Sequence, residues 1–222
     1  MLQSRATLDK ELADLNADII RLGSMADSAV ERAMEALYSR DAELAARVEQ
    51  EDALINDLRF LVEEKCLLVL ATQQPVAGDL RTVVSTIHVA TELERIADHA
   101  AGIARLVGRL ESDPEFDTLH KLPKMAKRAR KMIAESITAF VERDAELARV
   151  MVGRDDKMDK HYRRLYTEAL EQMRDDDYIR RATFLLWVGH DLERIGDRTT
   201  NIAERVVFMT TGEFVENIPS PD

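Results

Sequence analysis

Leu93-Glu94-Arg95-Ile96-Ala97-Asp98 returns almost unchanged as Leu192-Glu193-Arg194-Ile195-Gly196-Asp197, 99 positions further along the chain. A helix turns residues four apart to one side, so each copy presents two carboxylates beside an apolar row. In the first copy that row is Leu93, Ile96, Ala100, Ile103, Val107 and Leu110, in alternating steps of three and four. Leu192, Ile195, Thr199, Ile202, Val206 and Met209 repeat it at the same offset. Such spacing predicts long helices packed as in a coiled coil inside a bundle.

The repetition continues on both sides. Arg40-Asp41-Ala42-Glu43-Leu44-Ala45 matches Arg143-Asp144-Ala145-Glu146-Leu147-Ala148 at an offset of 103, and Asp52 to Asn56 then faces Asp155 to Asp159. From Leu80 against Ile179 the offset is 99, so four residues are missing from the second copy between the positions of Leu58 and Leu80. Each copy reads as three helices, 7–39, 41–72 and 76–110, then 121–141, 144–174 and 177–211. The expected fold is all-α: a tandem repeat of two antiparallel three-helix bundles, six long helices related by a pseudo-twofold. The expected divisions are 1–112, a connector 113–123, 124–212 and a tail 213–222. Asp41 and Asp144 stand where a helix N-cap is needed. Pro75 suits a first helical turn, where its missing N–H costs nothing.

Composition agrees with helices. Aromatic residues are only 5% of the 222, and eight Gly with five Pro leave little punctuation for a sheet protein. The formal charge of −11 argues against nucleic-acid binding, which needs a basic face, and against adhesion to anionic lipid. Cys66 is the only cysteine, so no intrachain disulfide can form, and its neighbours mark a buried helix position. No apolar run approaches the ~20 residues of a membrane span. A cytoplasmic location without membrane insertion is expected.

An acidic pair four apart is common on helix surfaces, and Asp14/Asp18, Glu31/Glu35 and Asp113/Asp117 read that way. Glu94/Asp98 and Glu193/Asp197 differ because they flank seam residues and so sit at the margin of the core. Like charges there need neutralising, and two readings stay open. One is a hard cation with oxygen ligands. The other is ion pairing with Arg95 and Arg194, or with Arg81 and Arg180. Asp52 with Asn56, and Asp155 with Asp159, can add a second wall of oxygen ligands if they face their own third helix. Asn201 can add an amide oxygen to the second site, whereas Gly102 occupies its place in the first, which predicts a first site poorer in ligands.

Histidine does not supply the Glu-x-x-His of di-iron bundles. His99 and His190 are placed to ligate, His88 reads as a core-edge residue held by a hydrogen bond, and His161 as exposed. There is no Gly-rich phosphate loop, nucleophile elbow or His-Glu-x-x-His. A metal-dependent helical enzyme and a metal-free scaffold remain as rival classes.

With the repeat and both Leu-Glu-Arg-Ile-x-Asp segments quoted, the chain resembles the PhoU family over essentially its whole length. Pro75 to Asp98 and Leu192 to Ala203 carry the resemblance most specifically. It implies two similar three-helix bundles, often dimeric, with metal clusters in some members. Carried onto this sequence, the metal ligands are Glu94, Asp98, Glu193 and Asp197, with Asp155 and Asp159 in support. The resemblance leaves the ion open among divalent or trivalent metals such as iron, zinc, manganese and magnesium. Ala97 and Gly102 depart from the family's usual Gly and Asn. The resemblance further implies a cytoplasmic, non-enzymatic adaptor between a phosphate ABC transporter and a phosphate-sensing histidine kinase, one that represses the starvation response and uptake.

Overall fold

Helix-forming sequence with one apolar row per turn builds seven helices in the computed structural model, which describes residues 2–109, 121–152 and 156–215. They are α1 (Leu2–Ser39), α2 (Ala42–Gln73), α3 (Ala77–Val107), α4 (Leu122–Glu142), α5 (Ala145–Val152), α6 (Asp156–Gln172) and α7 (Asp176–Thr211). No strand occurs among the described residues. The stretch expected at 144–174 is described as α5 and α6, on either side of residues 153–155. α1 begins at Leu2 rather than 7, because nothing in its first residues opposes a helix. Leu110 lies outside the described residues.

The expected caps form, and they form twice. Arg40 and Arg143 each enter the left-handed region, with φ of 56° and 55°, and each reverses the chain. Asp41 then accepts the amide of Leu44 at 2.8 Å. Asp144 accepts those of Glu146 and Leu147 at 2.9 Å. Each bond satisfies a first-turn donor that would otherwise have no partner. Pro75 lies outside its expected first turn, two residues before α3 starts at Ala77 after an extended Val76.

On α1, Leu15, Ile19, Leu22, Ala26, Val30 and Ala33 form a fully buried row. The rows of α3 and α7 are buried as the spacing predicts, from Leu93 to Val107 and from Leu192 to Met209. They join α1, α2 and α4 in one continuous core that runs through both copies. α1 reaches α4 directly: the Arg130 guanidinium donates to both oxygens of Asp27, at 2.9 and 2.8 Å. Close beside, a Cβ on Gly23 would lie 2.1 Å from Cδ1 of Ile137, so glycine is what lets these helices approach. Cys66 is fully buried, as its context predicts.

α3 and α7 run antiparallel through the centre. Arg81 donates to the carbonyl of Met209 at 3.3 Å, Ser85 to that of Arg205 at 3.5 Å, and His99 meets Asp191 at 3.0 Å. These partners place the midpoint of the contact at the two Glu-Arg motifs. Among the described residues no helix is long and apolar enough to cross a membrane.

Candidate functional site

In the first copy, α3 brings Glu94 and Asp98 towards Asp52 of α2. The charge of Asp98 opposes ionisation of both Glu94 and Asp52. Glu94 is raised above its ordinary range first by burial, then by Asp98 and Asp52, with Arg59 and Arg95 opposing. Asp52 is raised by burial and then by Asp98, against Arg105. Its Oδ1 is buried with no hydrogen-bond partner, while Oδ2 accepts from the Asn56 amide at 3.4 Å. A cleft of about 270 Å³, lined by Ser24, Ser28, Arg32, Glu51, Asp52 and Ala97, opens beside this group. Arg95 turns away to Glu92 at 3.2 Å, and Arg59 bonds Glu63 at 2.8 Å.

The second copy holds Glu193 and Asp197 on α7 near Asp159 of α6. Asp197 is again raised by burial and by Asp159, but Arg194 and Arg198 pull it back. Arg194 donates to Asp197 at 3.1 Å and lies 3.8 Å from Glu193. His190 Nδ1 stands 3.6 Å from Glu193, and Asp159 lies 3.9 Å from Arg163. Asp155 lies outside the described residues. Among the described residues, no three His, Cys, Asp or Glu side chains converge as a ligand set.

Several expectations need correction. Asn201 joins the contact between halves: its Nδ2 donates across the pseudo-twofold to Glu92 at 3.1 Å, beside Arg198 at 3.4 Å. The counterpart of Glu92 at the offset of 99 is Asp191, which takes His99 instead. Gly102, the counterpart of Asn201, also faces Asp191, whose Oδ2 lies 3.2 Å from a Cβ built there. The Asn201/Gly102 difference therefore belongs to the contact between halves rather than to either acidic cluster. His99 is committed there as well. Arg81 and Arg180 serve carbonyls, of Met209 and Arg109, so neither neutralises an acid pair. His88 is exposed rather than held at the core's edge by a hydrogen bond; the partial desolvation its neighbours still impose, and then Arg205, lower its basicity. His161 is half-buried among Arg128, Arg164, Lys124 and Lys121, because α4 and α6 gather cations around it.

Sequence reasoning passed over Glu92 and Asp191. Their signal was present, since both stand two residues before their motif's glutamate in a repeat already aligned.

The PhoU domain profile matches residues 19–107 and 122–206, one match per copy. The chain belongs to the PhoU family. A phosphate-specific transport system accessory protein PhoU homolog of Clostridium acetobutylicum is 36% identical over 96% of this chain and 98% of its own. One from Streptococcus pneumoniae serotype 4 is 34% identical over 96% and 99%. Crystal structures of PhoU from Pseudomonas aeruginosa and of the phosphate transport system regulatory protein PhoU from S. pneumoniae superpose with TM-scores of 0.87 and 0.88. They cover 92% and 94% of this chain and 99% of their own, at 32% and 33% identity. The PhoU fold thus extends over both copies.

Proposed function

We propose that this chain is a cytoplasmic, non-enzymatic regulator of phosphate homeostasis. It couples a phosphate-specific ABC transporter to a phosphate-sensing histidine kinase. When phosphate is plentiful it restrains uptake and silences the starvation response, and it acts as a homodimer. The observation that carries this reading is end-to-end similarity to proteins named as accessory to phosphate-specific transport. The experiment is a deletion strain carrying a starvation-promoter reporter, grown in excess phosphate. Deletion should switch the reporter on and raise uptake, and the intact gene should restore both. Unchanged reporter and uptake would end the proposal.

A metal ion of the hard, oxygen-binding kind would draw the acids of the first cluster together, since they do not converge as a ligand set by themselves. The buried Asp52 oxygen has no hydrogen-bond partner, and Glu94 and Asp98 add like charge with Arg95 turned aside. In the second copy Asp159, Glu193 and Asp197, with Asp155, are the corresponding holders. The bound ion supplies positive charge that ties α2 to α3 and α6 to α7, stabilising the shape a partner docks against. For the second cluster the Arg194–Asp197 bond favours the rival reading, in which ion pairing satisfies the acids.

A further inference from the structure

The outer face of α2 is apolar where a solvated helix would carry charge. Leu54, Leu61 and Leu68, seven residues apart, line one side of it, exposed by 57%, 42% and 58%. Phe60 and Leu67 line the other side at 57% and 56%. Asp57 and Glu64, also seven apart, run down the middle, both exposed and neither in an ion pair among the described residues. Five large side chains half in water on one helix face exceed the singly scattered apolar residues of an ordinary surface, which marks an interaction site; the Arg59 guanidinium lies 3.8 Å from the Phe60 ring centroid at its edge.

The second copy supplies an internal control. At the offset of 103, buried Ile55, Val62 and Cys66 coincide with buried Met158, Leu165 and Ala169, which fixes the register of α6 on α2. In that register Leu54, Phe60 and Leu61 become Lys157, Arg163 and Arg164, all exposed. Leu68 becomes exposed Glu171 and only Leu67 keeps an exposed apolar counterpart, Leu170, so folding does not require most of the apolar stripe.

We propose that the α2 face docks an amphipathic helix of another protein, whose apolar residues flank Lys or Arg spaced seven apart. The carboxylates on the centre line select the occupant by charge complementarity. A second copy of α2 would bring the same acids back. Antiparallel pairing centred between Phe60 and Leu61 sets Asp57 opposite the other copy's Glu64, and parallel pairing sets each acid on its own kind. An anionic lipid surface repels both. A cationic helix neutralises them while its apolar flanks cover Phe60, Leu61 and Leu68. The assignment does not depend on the phosphate reading.

The test uses the full chain and two labelled amphipathic peptides with identical apolar residues, one with Lys and one with Glu at the seven-residue spacing. Fluorescence anisotropy should show the Lys peptide binding at least about tenfold tighter than the Glu peptide. Leu61→Ser/Leu68→Ser should lose both, and Asp57→Lys/Glu64→Lys should invert the preference. Circular dichroism checks that each variant keeps its helices, as substitution at exposed positions predicts. Equal binding of the two peptides, or binding undiminished by the serine variant, overturns the proposal. So does self-association by light scattering, or sedimentation with phosphatidylglycerol vesicles, that the serine variant abolishes. Those results assign the stripe to a second copy or to lipid.

Discussion

In the first half Arg95 turns back to Glu92, leaving Glu94 and Asp98 to face Asp52; in the second, Arg194 turns forward to Asp197. The motifs are nearly the same, and the deciding difference lies just upstream. Glu92 is long enough to meet Arg95 as well as Arg198 and Asn201. Asp191 is one methylene shorter and is held by His99 at 3.0 Å, which leaves Arg194 to its other neighbours. Copying a motif therefore does not copy its electrostatics. The half expected to be poorer in ligands holds the less compensated acids.

Metal removal should divide the two halves most. A bound ion at one hundred times its dissociation constant stabilises a fold by about 2.7 kcal/mol. In a chain of this size that is roughly 5–10 °C in melting temperature. Manganese should give such a rise in the parent and in Glu193→Ala/Asp197→Ala, and little in Asp52→Ala/Glu94→Ala. Equal losses in the two variants, read by thermal scans with and without chelator, would erase the contrast.

Next in size is the cross-axis contact. Glu92→Ala removes a largely buried carboxylate that accepts from Asn201 and Arg198. It should cost about 2 kcal/mol in denaturant unfolding, against about 1 kcal/mol for Asp191→Ala, whose carboxylate meets a single histidine. The reverse order would show that the two ends of the contact are not graded as their partners suggest.

Acidity sharpens the comparison by direction. Asp52, Glu94 and Asp197 are all raised by burial, so the folded chain keeps protons that the unfolded chain has released. Stability from these groups is fully present below the ordinary carboxylate range, about pH 4, and is lost as pH rises through their folded values. Melting curves of metal-free protein should show that decline. Glu94→Gln should flatten it more than Asp197→Asn, because Arg194 already offsets Asp197. The smallest effect belongs to Gly102→Asn, which gives Asp191 the donor that Asn201 gives Glu92. It should add a few tenths of a kcal/mol, roughly the helix-propensity gain over glycine. A clear loss would mean that Asp191 and His99 cannot shift to admit the side chain.

Much of this fold was legible because periodicity and capping are local. The seams from Leu93 and Leu192, the caps at Asp41 and Asp144, and the burial of Cys66 follow from neighbours within a few turns. Proximity of Asp52 to Glu94, and of Asp159 to Asp197, was readable from the aligned acids. The direction of Arg95 was not, because it depends on a glutamate that also answers to α7. Nor was the role of Asn201, whose partner lies 109 positions away. The α2 stripe escaped for another reason: its helix has an apolar row on each side, and a search for one amphipathic face finds neither.

The pseudo-twofold at the crossing of α3 and α7 has a further consequence, one of symmetry. A true dimer of three-helix units must show every surface twice, so an adhesive face added to one unit appears on both and invites open-ended association. Joining the units in one chain lifts that constraint. α2 can be apolar and acid-lined while α6, in the same place, stays basic and solvated. The molecule keeps the shape of a symmetric pair and gains a front and a back.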